Sequence, residues 1–136
     1  MMAGLKFPEA VRTLWPRNGK RTSVLIVLSH APEDGDTIWN ALRLATTLTA
    51  QGASVRLFVM NDAIDVVRQQ VDQPPAEFDL QAMLRALLAR GARVKVCTTC
   101  ITRCGMGHGE VMPEVLLSSM PELAAWVTGS DRALVF

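Results

Sequence analysis

Residues 94–108 read VKVCTTCITRCGMGH, and this stretch contains all three cysteines of the chain. Its apolar beginning is typical of a strand that ends at Cys97. The residues that follow lack the periodicity of a second strand, and Thr98 or Thr99 can cap a short helix there. A thiol between a strand end and a helix start faces free backbone N–H groups, which stabilise the reactive thiolate. The stretch therefore predicts a strand–helix junction that carries sulfur chemistry.

The change from strand to helix recurs along the whole chain. Continuous apolar segments predict strands buried on both faces, and apolar residues spaced three or four apart predict helices. We expect strands at 22–29, 53–60, 92–97 and 132–136, helices at 37–51, 79–90 and 121–128, a short helix capped by Asn61 and Asp62, and a short strand or helix within 111–120. This alternation predicts an α/β fold, a three-layer sandwich with a mostly parallel sheet and helices on both faces.

Length and charge limit the domain organisation and the partners. The 136 residues carry a net charge of +1, which provides no basic field for nucleic acid. We expect a single α/β domain over residues 21–136. Residues 1–20 stand apart from it, and their apolar spacing predicts an N-terminal arm with a short amphipathic helix.

The cellular compartment follows from two further features. The apolar run Val24–Leu28 is far shorter than a membrane span, and residues 1–9 lack the apolar segment of a secretory signal. We therefore expect a cytoplasmic protein without a membrane partner. Clustered cysteines in that compartment indicate redox chemistry, sulfur transfer or metal binding rather than a disulfide framework.

Three loops are expected to meet at one edge of the sheet. They are residues 30–36, 61–62 and 97–108, and each follows a predicted strand. In parallel α/β sheets, ligands bind outside the carboxyl ends of the strands. His30 could exchange protons at such a site, Asp62 could position a ligand or cap a helix, and Arg103 could hold an anion. Each of these three side chains could equally be an ordinary surface residue.

The three thiols differ in their expected importance. Cys97 is the candidate nucleophile or sulfur carrier, although a strand-end cysteine can also be a small buried apolar residue. Cys100 follows it in a Cys-x-x-Cys pair and could resolve a persulfide or simply pack. Cys104 lies one helical turn beyond Cys100 and has the weakest indication of a role.

A metal site is the alternative interpretation of the same stretch. Cys97, Cys100, Cys104 and His108 are ligand types that zinc accepts. Structural zinc sites usually pair two short knuckles separated by a longer segment, whereas these four residues crowd into one stretch. We therefore expect neither a metal nor another cofactor. A nucleotide is also disfavoured, because the glycines after Cys104 lack the strand–turn–helix setting of a dinucleotide fingerprint.

The chain resembles the DsrE/DsrF-like family of small sulfur-relay proteins, which includes TusD and the YchN-like proteins. The resemblance covers about residues 21–136. It is carried by VLIVLSHAPEDGD at 24–36, by VRLFVMNDA at 55–63 and by VKVCTTC at 94–100, which leads to Arg103 and Gly105. The chain departs from the relay proteins at Cys104, where they often have arginine, and in its N-terminal arm. It shares the second cysteine with the YchN-like members.

The resemblance implies a parallel α/β sandwich that assembles as a homotrimer or homohexamer. It also implies that Cys97 accepts a persulfide sulfur from a donor protein and passes it to an acceptor protein. The first functional hypothesis is therefore a sulfur carrier or sulfurtransferase, with Cys100 as a backup or resolving thiol and with His30, Asp62 and Arg103 shaping the pocket. The alternative is a non-catalytic, oligomeric ligand- or metal-binding module.

Overall fold

The fold is built on a five-stranded parallel sheet with the strand order β4-β3-β2-β1-β5. The computed structural model describes residues 21–69 and 78–136. The strands are β1 (Ser23–Leu28), β2 (Ser54–Val59), β3 (Arg93–Cys97), β4 (Leu116–Ser118) and β5 (Arg132–Val135). The helices are α1 (Thr37–Ala50), α2 (Leu80–Ala89), α3 (Thr98–Arg103) and α4 (Met120–Thr128), with 3-10 helices at Asn61–Val67 and His108–Glu110.

The strand order determines which face each helix covers. The chain adds β2, β3 and β4 successively on one side of β1, and then returns to the other side of β1 to form β5. Because crossovers between parallel strands are right-handed, this reversal places α4 on the opposite face from α1 and α2. The predicted three-layer sandwich is confirmed.

The first face of the sheet is covered by α1, α2 and the 3-10 helix Asn61–Val67. The alternate residues of β1 that point to it, Val24, Ile26 and Leu28, are buried in the same apolar cluster as Leu42 of α1 and Leu84 of α2. The apolar stripes that predicted these two helices therefore form their core-facing sides.

The second face is covered by α4 within the described residues. Leu25, Val27, Phe58 and Cys97 project from this face and pack with Leu123 and Trp126 of α4. The rings of Phe58 and Trp126 meet edge to face, with their centroids 6.5 Å apart. Since residues of β1 are buried on both faces, the continuous apolar pattern of its sequence is explained.

A polar network lies beneath α4 beside this apolar cluster. The Lys95 Nζ is 3.1 Å from the Glu122 Oε1 and lies 4.7 Å from the centroid of the Trp126 ring. The buried Ser118 hydroxyl donates to the Glu122 Oε2 at 2.7 Å. These two hydrogen bonds, the one from Ser118 first, hold the pKa of the Glu122 carboxyl below its usual value.

Two local expectations, both about helix caps, were wrong. The α3 helix begins at Thr98 and its cap is Cys97, so neither threonine caps it. The segment after β2 is a 3-10 helix, and its cap is Met60 rather than Asn61 or Asp62. In both places the helix begins at the first of the polar residues expected to cap it, so that these residues lie inside the helix.

The other elements were predicted to within one residue at each end. The expected short element within 111–120 is the strand β4, and a Pro lies near the start of α4 as predicted. The arm predicted for residues 1–20 lies outside the described residues. In the part of the chain that the structure describes, each helix is too short or too polar to cross a membrane.

Candidate functional site

A cleft of about 720 Å³ opens at the carboxyl ends of β1, β2 and β3. The loops after these three strands, together with α3 and the start of α4, form its walls. The lining residues are Ser29, His30, Ala31, Asp34, Met60, Asn61, Asp62, Cys97, Thr99, Cys100, Arg103, Cys104 and Met120. The structure thus brings together the two thiols and the three pocket residues that the sequence singled out.

Cys97 lies at the junction of β3 and α3. Its residue surface is 4% exposed, and its side chain belongs to the apolar cluster beneath α4. Its Sγ accepts a hydrogen bond from the backbone N–H of Cys100 at 3.3 Å. This bond satisfies one free N–H of the first helical turn, and it would stabilise negative charge on the sulfur.

Cys100 occupies the first turn of α3 and is half-buried. Its Sγ accepts a hydrogen bond from the backbone N–H of Asn61 at 3.3 Å. Burial raises the pKa of the Cys100 thiol, and the bond from Asn61 acts in the opposite direction. A hydrogen bond and negative charge from Cys97, and negative charge on Cys104, raise this pKa further. Cys100 is therefore mainly a neutral thiol at neutral pH.

Asn61 is a site residue that the sequence reasoning missed. It has a φ of 51°, in the left-handed region, and its backbone N–H points at the sulfur of Cys100. Its side-chain Nδ2 donates to the Ser29 Oγ at 2.8 Å, which ties the loop after β2 to the end of β1. Asparagine is one of the few residues besides glycine that tolerate this conformation. An asparagine directly after a predicted buried strand was the available signal.

Cys104 lies at the open side of the cleft. It is solvent-exposed and follows the last residue of α3. The helix ends in a Schellman motif: Gly105, with a φ of 71°, donates its N–H to the Thr102 carbonyl, and Met106 donates to the Ile101 carbonyl. Because the side chains of Met106 and Ile101 are buried, this motif fixes the position of Cys104 at the cleft.

The charged residues of the lining are solvent-exposed. His30 follows β1, Asp62 lies in the first turn of the 3-10 helix, and Arg103 ends α3. With Asp34, they surround the thiols with cationic and anionic groups. This mixture suits a polar or charged ligand or partner segment rather than an apolar molecule.

The alternative metal site is not assembled in the described part of the chain. His108 begins the second 3-10 helix and is not among the residues that line the cleft. Among residues 21–69 and 78–136, no group of three or more His, Cys, Asp or Glu side chains is arranged to hold a metal ion. The three cysteines share a cleft, but the fourth proposed ligand lies elsewhere.

Comparison with known proteins identifies the family. The model of the DsrE/DsrF-like family matches residues 22–136. The chain belongs to this family. The resemblance noted in the sequence is therefore confirmed over the whole α/β region.

Known relatives are similar to the chain in sequence and in fold. The chain is 34% identical over 116 residues to Protein YchN of Escherichia coli, which covers 83% of this chain and 97% of YchN. It is 30% identical over 115 residues to the uncharacterized protein MK0008 of Methanopyrus kandleri, covering 83% and 93% of the two chains. The crystal structure of YchN from E. coli superposes with a TM-score of 0.77 at 32% identity, over 85% of this chain and 99% of YchN.

A more distant structure shares the fold alone. MTH1491 from Methanobacterium thermoautotrophicum, a protein of unknown function, superposes with a TM-score of 0.65 at 16% identity. The superposition covers 86% of this chain and all of MTH1491. The α/β architecture is thus retained where the sequence similarity is low.

Proposed function

We propose that this protein is a cytoplasmic sulfur carrier that accepts a sulfane sulfur on Cys97 and relays it to a partner protein. The observation that carries the proposal is the pair of thiols in one cleft, each with its sulfur hydrogen-bonded to a backbone N–H. Backbone N–H groups stabilise anionic sulfur without adding a competing nucleophile. Membership of the DsrE/DsrF-like family supports the same interpretation.

The chemistry is a transfer between sulfur atoms. The Cys97 thiolate attacks the outer sulfur of a donor persulfide, the donor S–S bond breaks, and the donor leaves as a thiolate. The product is a persulfide on Cys97, and a second attack by an acceptor thiolate regenerates the Cys97 thiolate. Neither step requires an oxidant or a cofactor, because the sulfane sulfur only changes its bonding partner.

Cys100 has two possible roles beside Cys97 in this proposal. As a backup thiol, it would carry the sulfur when Cys97 is occupied. As a resolving thiol, it would attack the Cys97 persulfide, forming a Cys97–Cys100 disulfide and releasing sulfide. His30, Asp62 and Arg103 line the cleft and would orient the donor and acceptor segments.

We also propose that the carrier is a homo-oligomer, a trimer or a hexamer. Large apolar side chains are exposed on and around the second face of the sheet: Leu116 at 59%, Met120 at 56%, Val127 at 45% and Val135 at 72%. A chain that leaves such side chains exposed gains stability when another copy covers them. Met120 and Val127 lie on α4 itself, and Leu116 and Val135 lie on β4 and β5, the two edge strands of the sheet.

The carrier role is tested by intact-protein mass after incubation with a cysteine desulfurase and cysteine. Wild type is expected to gain the mass of one sulfur atom, and a reductant should remove it. Peptide mapping should locate the adduct on Cys97, and the Cys97→Ser variant should lose the adduct at this position, whereas Cys100→Ser should still gain the mass of a sulfur atom. Thr102→Ser is the matched control, because Thr102 is exposed on α3 but outside the cleft lining. Reduced wild type that takes up sulfur neither from the desulfurase nor from inorganic polysulfide would contradict the proposal.

A further inference from the structure

The three cysteines form a series of increasing exposure within one cleft. Cys97 is buried, Cys100 is intermediate and Cys104 is exposed, and all three line the cleft. The cysteines therefore lead from the solvent to the sulfur at the end of β3. A function confined to Cys97 and Cys100 leaves the exposed thiol without a role.

Contacts connect the three residues in sequence. The Cys97 sulfur accepts a hydrogen bond from the backbone N–H of Cys100, so these two residues are in direct contact. Cys100 and Cys104 are four residues apart, and the Cys104 N–H donates to the Cys100 carbonyl at 3.1 Å. Side chains at this helical spacing lie on the same face, with Cβ atoms about 5–6 Å apart. Cys100 is thus adjacent to both of the other thiols.

Burial makes Cys97 a poor target for a sulfur carried by another protein. With 4% of its surface exposed, it cannot meet a donor cysteine that stands on a folded surface, unless a donor segment enters the cleft. Thiol exchange depends on access, because the attacking sulfur must approach the S–S bond in line. Cys104 at the opening meets this requirement without any such insertion.

We propose that Cys104 is the receiving thiol of the carrier, which accepts the sulfur from a protein-borne persulfide and passes it through Cys100 to Cys97. This inference rests on the proposed carrier function. It assigns to Cys104 the contact with the donor protein, and to Cys100 the transfer between the surface and the buried sulfur.

Each step in this route balances in atoms and electrons. The Cys104 thiolate attacks the outer sulfur of the donor persulfide, the donor S–S bond breaks, and the donor thiolate takes the proton released from Cys104. Cys100 is a neutral thiol before the second step; its sulfur loses the proton as it attacks the outer sulfur on Cys104, the S–S bond on Cys104 breaks, and the released Cys104 thiolate takes that proton. The Cys97 thiolate then attacks the outer sulfur on Cys100, and the S–S bond on Cys100 breaks. One sulfane sulfur moves at each step, and one thiolate is consumed while another is released.

The experiment compares a protein donor with a small donor. Cysteine desulfurase with cysteine presents the sulfur on a protein, whereas inorganic polysulfide is small enough to enter the cleft directly. Wild type, Cys104→Ser, Cys104→Ala and the matched control Thr102→Ser are incubated with each donor. The rate of sulfur uptake is measured by intact mass, and the modified cysteine is located by alkylation and peptide mapping.

The expected result is a loss that is specific to the protein donor. Both Cys104 variants should take up sulfur from the desulfurase about tenfold more slowly or worse, with uptake from polysulfide unchanged. In the Cys97→Ser/Cys100→Ser double variant, sulfur from the desulfurase should remain on Cys104. The Cys97→Ala/Cys100→Ala double variant repeats this test without placing a hydroxyl group at the buried position 97.

Other outcomes separate the two proposals. The receiving role is overturned, and the carrier role left standing, if the Cys104 variants take up sulfur from the desulfurase at the wild-type rate. The same holds if their rates of sulfur uptake from the desulfurase and from polysulfide fall by the same factor. Wild type that accepts sulfur from polysulfide but not from the desulfurase also overturns the receiving role of Cys104 and leaves the carrier role standing. Wild type that takes up sulfur from neither donor overturns both proposals.

Discussion

The two faces of the sheet are built from the same strands but are covered very differently. The first face packs against α1, α2 and a 3-10 helix, and its cluster extends from Val24 to Val115. The second face packs against α4, where Lys95 of β3 pairs with Glu122 of the helix, and apolar residues are exposed around it. The first face is thus largely closed, with only Leu117 and Leu134 of the described edge strands partly exposed beside it, whereas the second is a partly open surface.

This difference bears on function because Cys97 projects toward the open face. Its side chain packs with Leu25, Val27 and Phe58 beneath α4, while the neighbouring Val96 is buried in the closed core. The first face therefore holds the larger part of the buried apolar core, and the second face carries the side chain of Cys97.

The largest expected effect is on the closed face. Leu57→Ala removes a fully buried side chain from the first-face cluster, and it should lower the free energy of unfolding by about 2–5 kcal/mol. Leu116→Ala is the matched control on β4, where the side chain is 59% exposed in the single chain, and at protein concentrations low enough to keep the chain monomeric it should change the value by about 0.5 kcal/mol or less. Urea denaturation measures both. If both variants lowered the free energy of unfolding by the same amount, the contrast between a closed core and an open edge would be contradicted.

The second effect concerns assembly on the open face. Val135→Asp places a charge at a side chain that is 72% exposed, and it should weaken association by about tenfold or more because a buried charge in an interface lacks a partner. Sedimentation velocity over a concentration series measures the change. Ala86→Asp, on the exposed side of α2, should leave the assembly intact. A wild type that sediments as a monomer would refute the proposed oligomer.

A third prediction concerns the pH dependence of the thiols in the cleft. Because burial raises the pKa of Cys100, less of it is thiolate at neutral pH, and iodoacetamide should alkylate Cys104 well before Cys100. The rate at Cys100 should continue to rise as the pH passes the ordinary range of a thiol. Peptide mapping after timed alkylation gives both rates. In urea-unfolded protein the two cysteines should react alike, and a difference that persists there would rule out burial as the cause.

The smallest expected effect is on the polar network of the open face. Ser118→Ala and Lys95→Met should each raise the pKa of Glu122 toward its ordinary value, because the hydrogen bonds from Ser118 and Lys95 and the charge of Lys95 all lower it. Carboxyl chemical shifts in an NMR titration measure this change. Since the folded-state pKa is lowered, the network stabilises the fold above the ordinary Glu value and loses this contribution as the pH falls through the lowered one. An unchanged pKa in both variants would contradict this assignment.

Much of the fold was readable from local pattern. The apolar run of β1 and the stripe of α2 are short-range features, and each was placed within about a residue. The position of Cys97 at a strand end was readable for the same reason. What could not be read locally was the helix type after β2, because its apolar spacing is compatible with both a 3-10 and an α-helix.

The sequence by itself determined the strands and main helices, the junction at Cys97 and the family, because side-chain periodicity and short motifs are properties of neighbouring residues. The tertiary structure decided which residues surround the thiols. The Asn61 N–H reaches the Cys100 sulfur across 39 residues of chain, and the exclusion of His108 from the cleft follows from the path of the chain after α3. Such contacts depend on strand order and on the turn at each strand end, which periodicity does not encode.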